Sequence, residues 1–177
     1  MITFDKSATL IAAWQLVHSQ LSHEPSGHDV FHIKRVVNIA KYLASKCGFV
    51  DDFLLELACL LHDIDDPKLI QGNQHVSAIK FLDSQNVPPV YVDRVMDIID
   101  NLSYSSTLKG KVEHTLEGQI AQDADRLDAL GAIGIARAFA FGGHKGRLID
   151  DDGISGISSY QHFEDKLLKL ESLMNTK

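Results

Sequence analysis

Cysteine, proline and tryptophan are all scarce in this 177-residue chain, which carries two, four and one of them. Two cysteines, Cys47 and Cys59, are too few for a disulfide framework, and both lie in apolar, helical contexts, so a reducing compartment is the simpler setting. No run of about 18 uninterrupted apolar residues exists, which leaves no candidate for a membrane-spanning helix. The opening Met1-Ile2-Thr3-Phe4-Asp5-Lys6-Ser7 lacks a basic segment leading into an apolar one, so no secretory signal is read there and a cytoplasmic location is expected. Positive charge is also short. Seventeen Lys and Arg stand against 24 Asp and Glu, a formal net charge of -7. A nucleic-acid polymer as main partner needs clustered basic residues and is disfavoured, whereas a small phosphorylated ligand needs only a local positive site or a metal. Persistent alternation of apolar and polar residues is missing too, which excludes a sheet and leaves an all-α fold.

What is present is helical periodicity and 45% hydrophobic content, enough for one domain with a substantial core. Ser7 is placed to cap a helix running to Ser22, with Leu10, Ile11, Trp14, Val17 and Leu21 on one face. Glu24-Pro25-Ser26-Gly27 breaks it, and a second helix spans Asp29 to Lys46. A third begins at Asp51 or Asp52 and ends between Asp63 and Asp66, because Pro67 disfavours helical geometry before it. Lys68 to Gln74 reads as a loop, His75 to Ser84 and Pro89 to Asn101 as helices, and Tyr104 to Lys111 as a loop. Leu116 to Phe141 is helical with interruptions at Gly131 and Gly134, and Gly142-Gly143 stops it. A final helix is expected over Ser159 to Met174.

Three polar clusters interrupt these apolar patterns. Leu57-Ala58-Cys59-Leu60-Leu61 turns abruptly into His62-Asp63-Ile64-Asp65-Asp66. Carboxylates at a helix C-terminus add to the negative end of the macrodipole, so something positive should compensate, and an adjacent His-Asp pair suggests a divalent metal. His28 and His32 stand four apart, so on a helix their rings share a face. Asp125 and Asp128, three apart in Asp123-Ala124-Asp125-Arg126-Leu127-Asp128, share another. Leu127, Leu130, Ile133 and Ile135 make that last segment apolar, so its acids are not all surface decoration.

Taken together the clusters resemble the HD superfamily of metal-dependent phosphohydrolases. The stretches His28-Asp29 to Val36, Leu60 to Ile64 and Asp123 to Ala129 with Gly131-Ala132-Ile133-Gly134 are similar to one bacterial branch of nucleotide pyrophosphohydrolases. Phe139-Ala140-Phe141-Gly142-Gly143 and His162-Phe163 with Lys166-Leu167-Leu168 extend the likeness over residues 20–174 of a single domain, 1–177.

The resemblance implies a helical bundle of the HD type with His32, His62, Asp63 and Asp125 as metal ligands. Asp125 is preferred to Asp123 because it matches the Ala-Asp-Arg-Leu pattern, and Asp128 supports the ligands from behind. The implied cofactor is one divalent ion, Mn²⁺ favoured over Mg²⁺, Ni²⁺, Co²⁺ or Fe²⁺. Asp66 matches a position where relatives carry a catalytic glutamate, and Lys68 stands ready to balance phosphate charge. His28, Arg35 and Lys166 are the further substrate contacts. The implied reaction converts (deoxy)nucleoside triphosphates to monophosphate and pyrophosphate. The alternatives are another phosphorylated substrate, such as a nucleoside monophosphate or an alarmone, and a sensor that binds metal and nucleotide without turnover.

Overall fold

A computed structural model of the chain describes residues 4–65, 75–108 and 115–176, apart from the side chain of residue 105. It is a single all-helical domain, and no strand occurs among the described residues. The helices are α1 (Lys6–Leu21), α2 (Val30–Ala44), α3 (Asp52–Leu61), α4 (Val76–Ser84), α5 (Pro89–Leu102), α6 (Tyr104–Leu108), α7 (Leu116–Asp128), α8 (Gly131–His144) and α9 (Gln161–Asp165).

The centre is α3. Phe53, Leu54, Leu55, Leu57, Ala58, Cys59, Leu60 and Leu61 are all buried, so the helix is apolar around its whole circumference rather than along a stripe. It packs against α1, α2, α5 and α7. Each fully buried leucine in it contributes about 1.5–3 kcal/mol through removal from water. The surrounding helices are amphipathic. On α2 the buried face is Val30, Ile33, Val36, Val37, Ala40 and Ala44, and His32 lies among them, fully buried. An imidazole there needs partners, which α7 supplies, because α2 packs along α7.

Aspartate does most of the capping. Asp5, Asp29 and Asp51 accept from the backbone N–H of Ala8, His32 and Leu54, and Thr115 accepts from Gly118. The cap of α1 is therefore Asp5 and not Ser7, which lies within the helix. Helix α3 ends at Leu61 with His62 as its C-cap, a turn earlier than the sequence suggests. The Lys68 to Gln74 loop lies outside the described residues.

Three expectations are corrected. Tyr104–Leu108 forms a short helix in place of the first part of the expected loop. The long final helix is replaced by α9 and two 3₁₀ turns, Leu167–Lys169 and Glu171–Leu173. Gly142 and Gly143 do not stop α8, which continues to His144. Gly143 is open to solvent, and the close approach of Ser159 Oγ to Gly142 leaves no room for a side chain there. The interruption expected near Gly131 is present, and the one expected at Gly134 is not, since Gly134 lies within α8. The chain breaks at Ala129-Leu130 and Gly131 takes φ +63°, so Leu127, Ile133 and Ile135 do not continue one face and all three are exposed. The buried side of α7 carries the polar Gln122, Asp123, Arg126 and Asp128 beside the apolar Ile120, Ala121 and Ala124.

Candidate metal centre

The end of α3 delivers His62 and Asp63 into the interior, where they meet His32 from α2 and Asp125 from α7. His32 Nε2 lies 3.2 Å from Asp63 Oδ2 and 3.5 Å from Asp125 Oδ1. His62 Nε2 lies 3.4 Å from Asp63 Oδ1 and 3.9 Å from Asp125 Oδ1. Donor atoms of His32, His62 and Asp63 all fall within 4.8 Å of one another. Asp125 is the most open of the four, with 31% of its side chain exposed, and so marks the accessible side of the cluster.

Both imidazoles are oriented from behind. His62 Nδ1 faces the Cys59 carbonyl at 2.8 Å, and a carbonyl only accepts, so the proton sits on Nδ1 and Nε2 carries the lone pair inward. His32 Nδ1 faces Asp128 Oδ2 at 2.7 Å with the same consequence. Asp128 is itself held by Arg35, which donates from Nε at 2.6 Å and Nη2 at 3.1 Å, and by Arg137, which donates from Nη1 at 2.9 Å. Burial raises the Asp128 pKa, but the hydrogen bonds from His32 and Arg35 outweigh it and keep the carboxylate ionised.

The inward atoms tell a different story. His32 Nε2, His62 Nε2 and Asp63 Oδ2 are buried and have no hydrogen-bond partner among the described residues. Leaving a buried polar atom unpaired costs about 1–3 kcal/mol, more for a charged one, so three aimed at one point require a common partner. Two neutral imidazoles with Asp63 and Asp125 carry a net charge of -2, which a divalent cation cancels. The residues present fit a metal.

Without one, a proton occupies the site. Burial alone depresses the His32 pKa, but the hydrogen bond to Asp128 and the Asp63 carboxylate 3.2 Å from Nε2 reverse that and raise it to about 9, with Arg137 opposing. Asp63 is driven up by burial and down by the charges of His62 and His32, and ends well below the usual carboxylate range. Asp125 is lowered in the same way, by His62 and then His32 against its own burial.

The other residues singled out in the sequence are placed as follows. Asp66 and Lys68 lie outside the described residues. Arg35 spends Nε and Nη2 on Asp128. His28 stacks edge-on with His32 at 5.8 Å between ring centroids and with Phe141 at 5.6 Å. It also lines a cavity of about 100 Å³, together with Arg137, Phe141, His162, Lys166 and Leu167. Among the described residues no acidic side chain lines that cavity. Arg137 carries more of the site than its sequence context shows; its only local signal was a cation nine residues beyond Asp128. Asp65 was not singled out either. It is buried and its Oδ2 accepts from the Ala78 N–H at 2.7 Å, which satisfies one of the open donors at the start of α4.

A helical bundle whose central helix ends in a His-Asp pair, facing a histidine from the preceding helix and an aspartate from a later one, is the arrangement of an HD-type hydrolase. The chain belongs to the HD domain family, whose profile matches residues 30–130. Hydrolases of this superfamily are in general metal-dependent phosphohydrolases. Among relatives, Bacillus subtilis YpgQ, itself uncharacterized, is 42% identical over 175 residues, 97% of this chain and 82% of that protein. Its crystal structure in complex with ADP superposes with a TM-score of 0.78 at 37% identity, covering 97% of this chain and 84% of that one. A Lactobacillus plantarum protein gives a TM-score of 0.87 at 37% identity, covering 100% and 87%. An HD-superfamily hydrolase from Bacillus thuringiensis gives 0.71 at 40% identity, covering 98% and 86%.

Proposed function

We propose that this chain hydrolyses (deoxy)nucleoside triphosphates between the α- and β-phosphates, releasing a monophosphate and pyrophosphate. The observation that carries the reading is the convergence of His32 Nε2, His62 Nε2 and Asp63 Oδ2, buried and without a partner among the described residues, beside a cavity whose described lining includes His28, His162, Lys166 and Arg137 and no carboxylate. The first feature calls for a divalent cation, and the second suits phosphate. That YpgQ binds ADP supports a nucleotide over other phosphoesters.

His32, His62, Asp63 and Asp125 would hold the ion, Mn²⁺ being our first choice for two imidazoles and two carboxylates. When bound, such an ion acidifies water and polarises a phosphoryl oxygen. The protein supplies the rest. His28 and Lys166 hold the outer phosphates in the cavity, leaving the α-phosphorus toward the cluster. Lys68 offsets charge on the departing pyrophosphate, and Arg35 adds positive charge behind Asp128. Asp66 accepts a proton from the attacking water as its oxygen bonds to the α-phosphorus and the bond to the bridging oxygen breaks.

The test is product analysis. A deoxynucleoside triphosphate incubated with protein and Mn²⁺ should yield monophosphate and pyrophosphate; diphosphate with inorganic phosphate overturns the assignment. Asp66→Asn should lower turnover with metal content unchanged. Lys68→Ala should cost about 10²–10³-fold, the scale for one positioned donor. A wild-type protein that binds Mn²⁺ and nucleotide yet releases no product is a sensor and not an enzyme.

A further inference from the structure

Arg137 reaches both the carboxylate behind His32 and the wall of the cavity. Its Nη1 donates to Asp128 Oδ2 at 2.9 Å, and that same oxygen receives Nδ1 of His32. Its Nε donates to the Gly27 carbonyl at 2.7 Å. Gly27 immediately precedes His28 and adopts φ +93°, a left-handed conformation that side chains disfavour. A Cβ at Gly27 would sit 3.2 Å from Arg137 Cγ, so this backbone rests directly on the arginine stem. From the other side, Glu24 receives the N–H groups of Ser26 and His28 at 2.9–3.0 Å, and Ser26 Oγ lies 3.1 Å from His28 Nδ1. The turn that carries His28 is therefore clamped between Glu24 and Arg137. Only 14% of the Arg137 side chain is exposed, so its bonds are shielded from competing water.

We propose that Arg137 is a positioning residue that sets the metal-facing imidazole of His32 and the cavity imidazole of His28 relative to one another. The proposal rests on the nucleotide reading for what the cavity holds, and it assigns Arg137 no contact with the reacting atoms. Two bonds in different directions are the essential feature. Arg35, by contrast, directs Nε and Nη2 at the same carboxylate. A lysine's three N–H donors radiate from a single nitrogen and do not reproduce the separate Nε and Nη1 positions that serve the Gly27 carbonyl and Asp128.

The experiment compares Arg137→Ala, Arg137→Lys and Asp128→Asn by two equilibrium measurements. One is Mn²⁺ affinity without nucleotide; the other is affinity for an α,β-methylene deoxynucleoside triphosphate at saturating Mn²⁺. Arg137→Ala should weaken both, Mn²⁺ by about 10–100-fold and the nucleotide by about tenfold. Asp128→Asn should weaken Mn²⁺ with the nucleotide unmoved, because the Gly27 contact persists. Arg137→Lys should restore one affinity and not both, and it decides the matter if the alanine variant does not fold. A loss of melting temperature with both affinities intact, an Arg137→Ala effect confined to Mn²⁺, or full restoration by lysine overturns the proposal. If the wild type itself fails to bind the analogue, the nucleotide reading falls and the His28 half of this proposal falls with it. A wild type that binds, with Arg137 variants that bind equally well, sinks Arg137 alone.

Discussion

Three aspartates on α7 stand within six residues, and the structure gives each a different task, so Asp123→Ala separates fold from site. Asp123 is 1% exposed and binds four donor groups: the Asn175 N–H and side-chain amide at 2.9 Å, the Thr176 N–H at 2.6 Å and the Thr176 hydroxyl at 2.8 Å. Gln122 and Arg126 join the same clasp, through the Asn175 amide and the Leu173 carbonyl. Hydrogen bonds to a charged acceptor contribute about 1.5–3 kcal/mol each, but they are not additive here, since the freed donors can swing out to water. The expected loss is about 2–3 kcal/mol in total. For a domain of this size that lowers the melting temperature by about 5–10 °C. Because Asp123 touches none of His32, His62, Asp63 or Asp125, Mn²⁺ stoichiometry should stay unchanged. The assay is differential scanning fluorimetry beside elemental analysis, with Asp125→Ala as the opposite case: metal lost, metal-free stability close to wild type. An Asp123→Ala protein stripped of metal, or one melting with the wild type, refutes this division.

Purified protein should carry about one divalent ion per chain, and a chelator should lower its melting temperature, because an ion bound only by the folded state stabilises it. The pH dependence of the metal-free protein follows from His32. Its folded pKa of about 9 lies above the ordinary 6.5, so the stabilisation, about 3 kcal/mol, is complete below pH 6.5 and is lost as pH rises through 9. Melting of the metal-free protein should therefore fall by about 6–12 °C between those values, whereas Mn²⁺ affinity should rise over the same range as the competing proton leaves. A flat metal-free profile refutes the His32 assignment. Gly134→Ala places a Cβ 2.1 Å from the Ala129 carbonyl oxygen and should cost about 3 kcal/mol in urea denaturation. Gly143→Ala, with nothing within 4 Å, should be neutral or stabilising by about 0.5–1 kcal/mol, and equal losses at the two glycines would contradict the α7–α8 corner described above.

Much was legible in the chain alone, for a local reason. Helical periodicity is written in neighbouring residues, so α3 announces its burial, and its polar exit at His62 and Asp63 follows within the same turn. Aspartates ahead of α2 and α3 can be read as caps because capping acts over three residues. What the sequence leaves open is whatever depends on distance in the chain. Arg137 meets Gly27 across 110 residues, Asp123 meets Asn175 across 52, and Asp65 meets the Ala78 N–H of α4 across 13. The interruption expected at Gly131 is there, and that glycine's left-handed backbone turns α8 away from α7. The resemblance of the chain's motifs to a known family was what nominated the ligands of a metal. Only the packing of α2 against α7 and α3 decided that their lone pairs converge, because convergence is a property of side-chain directions in space and not of order along the chain.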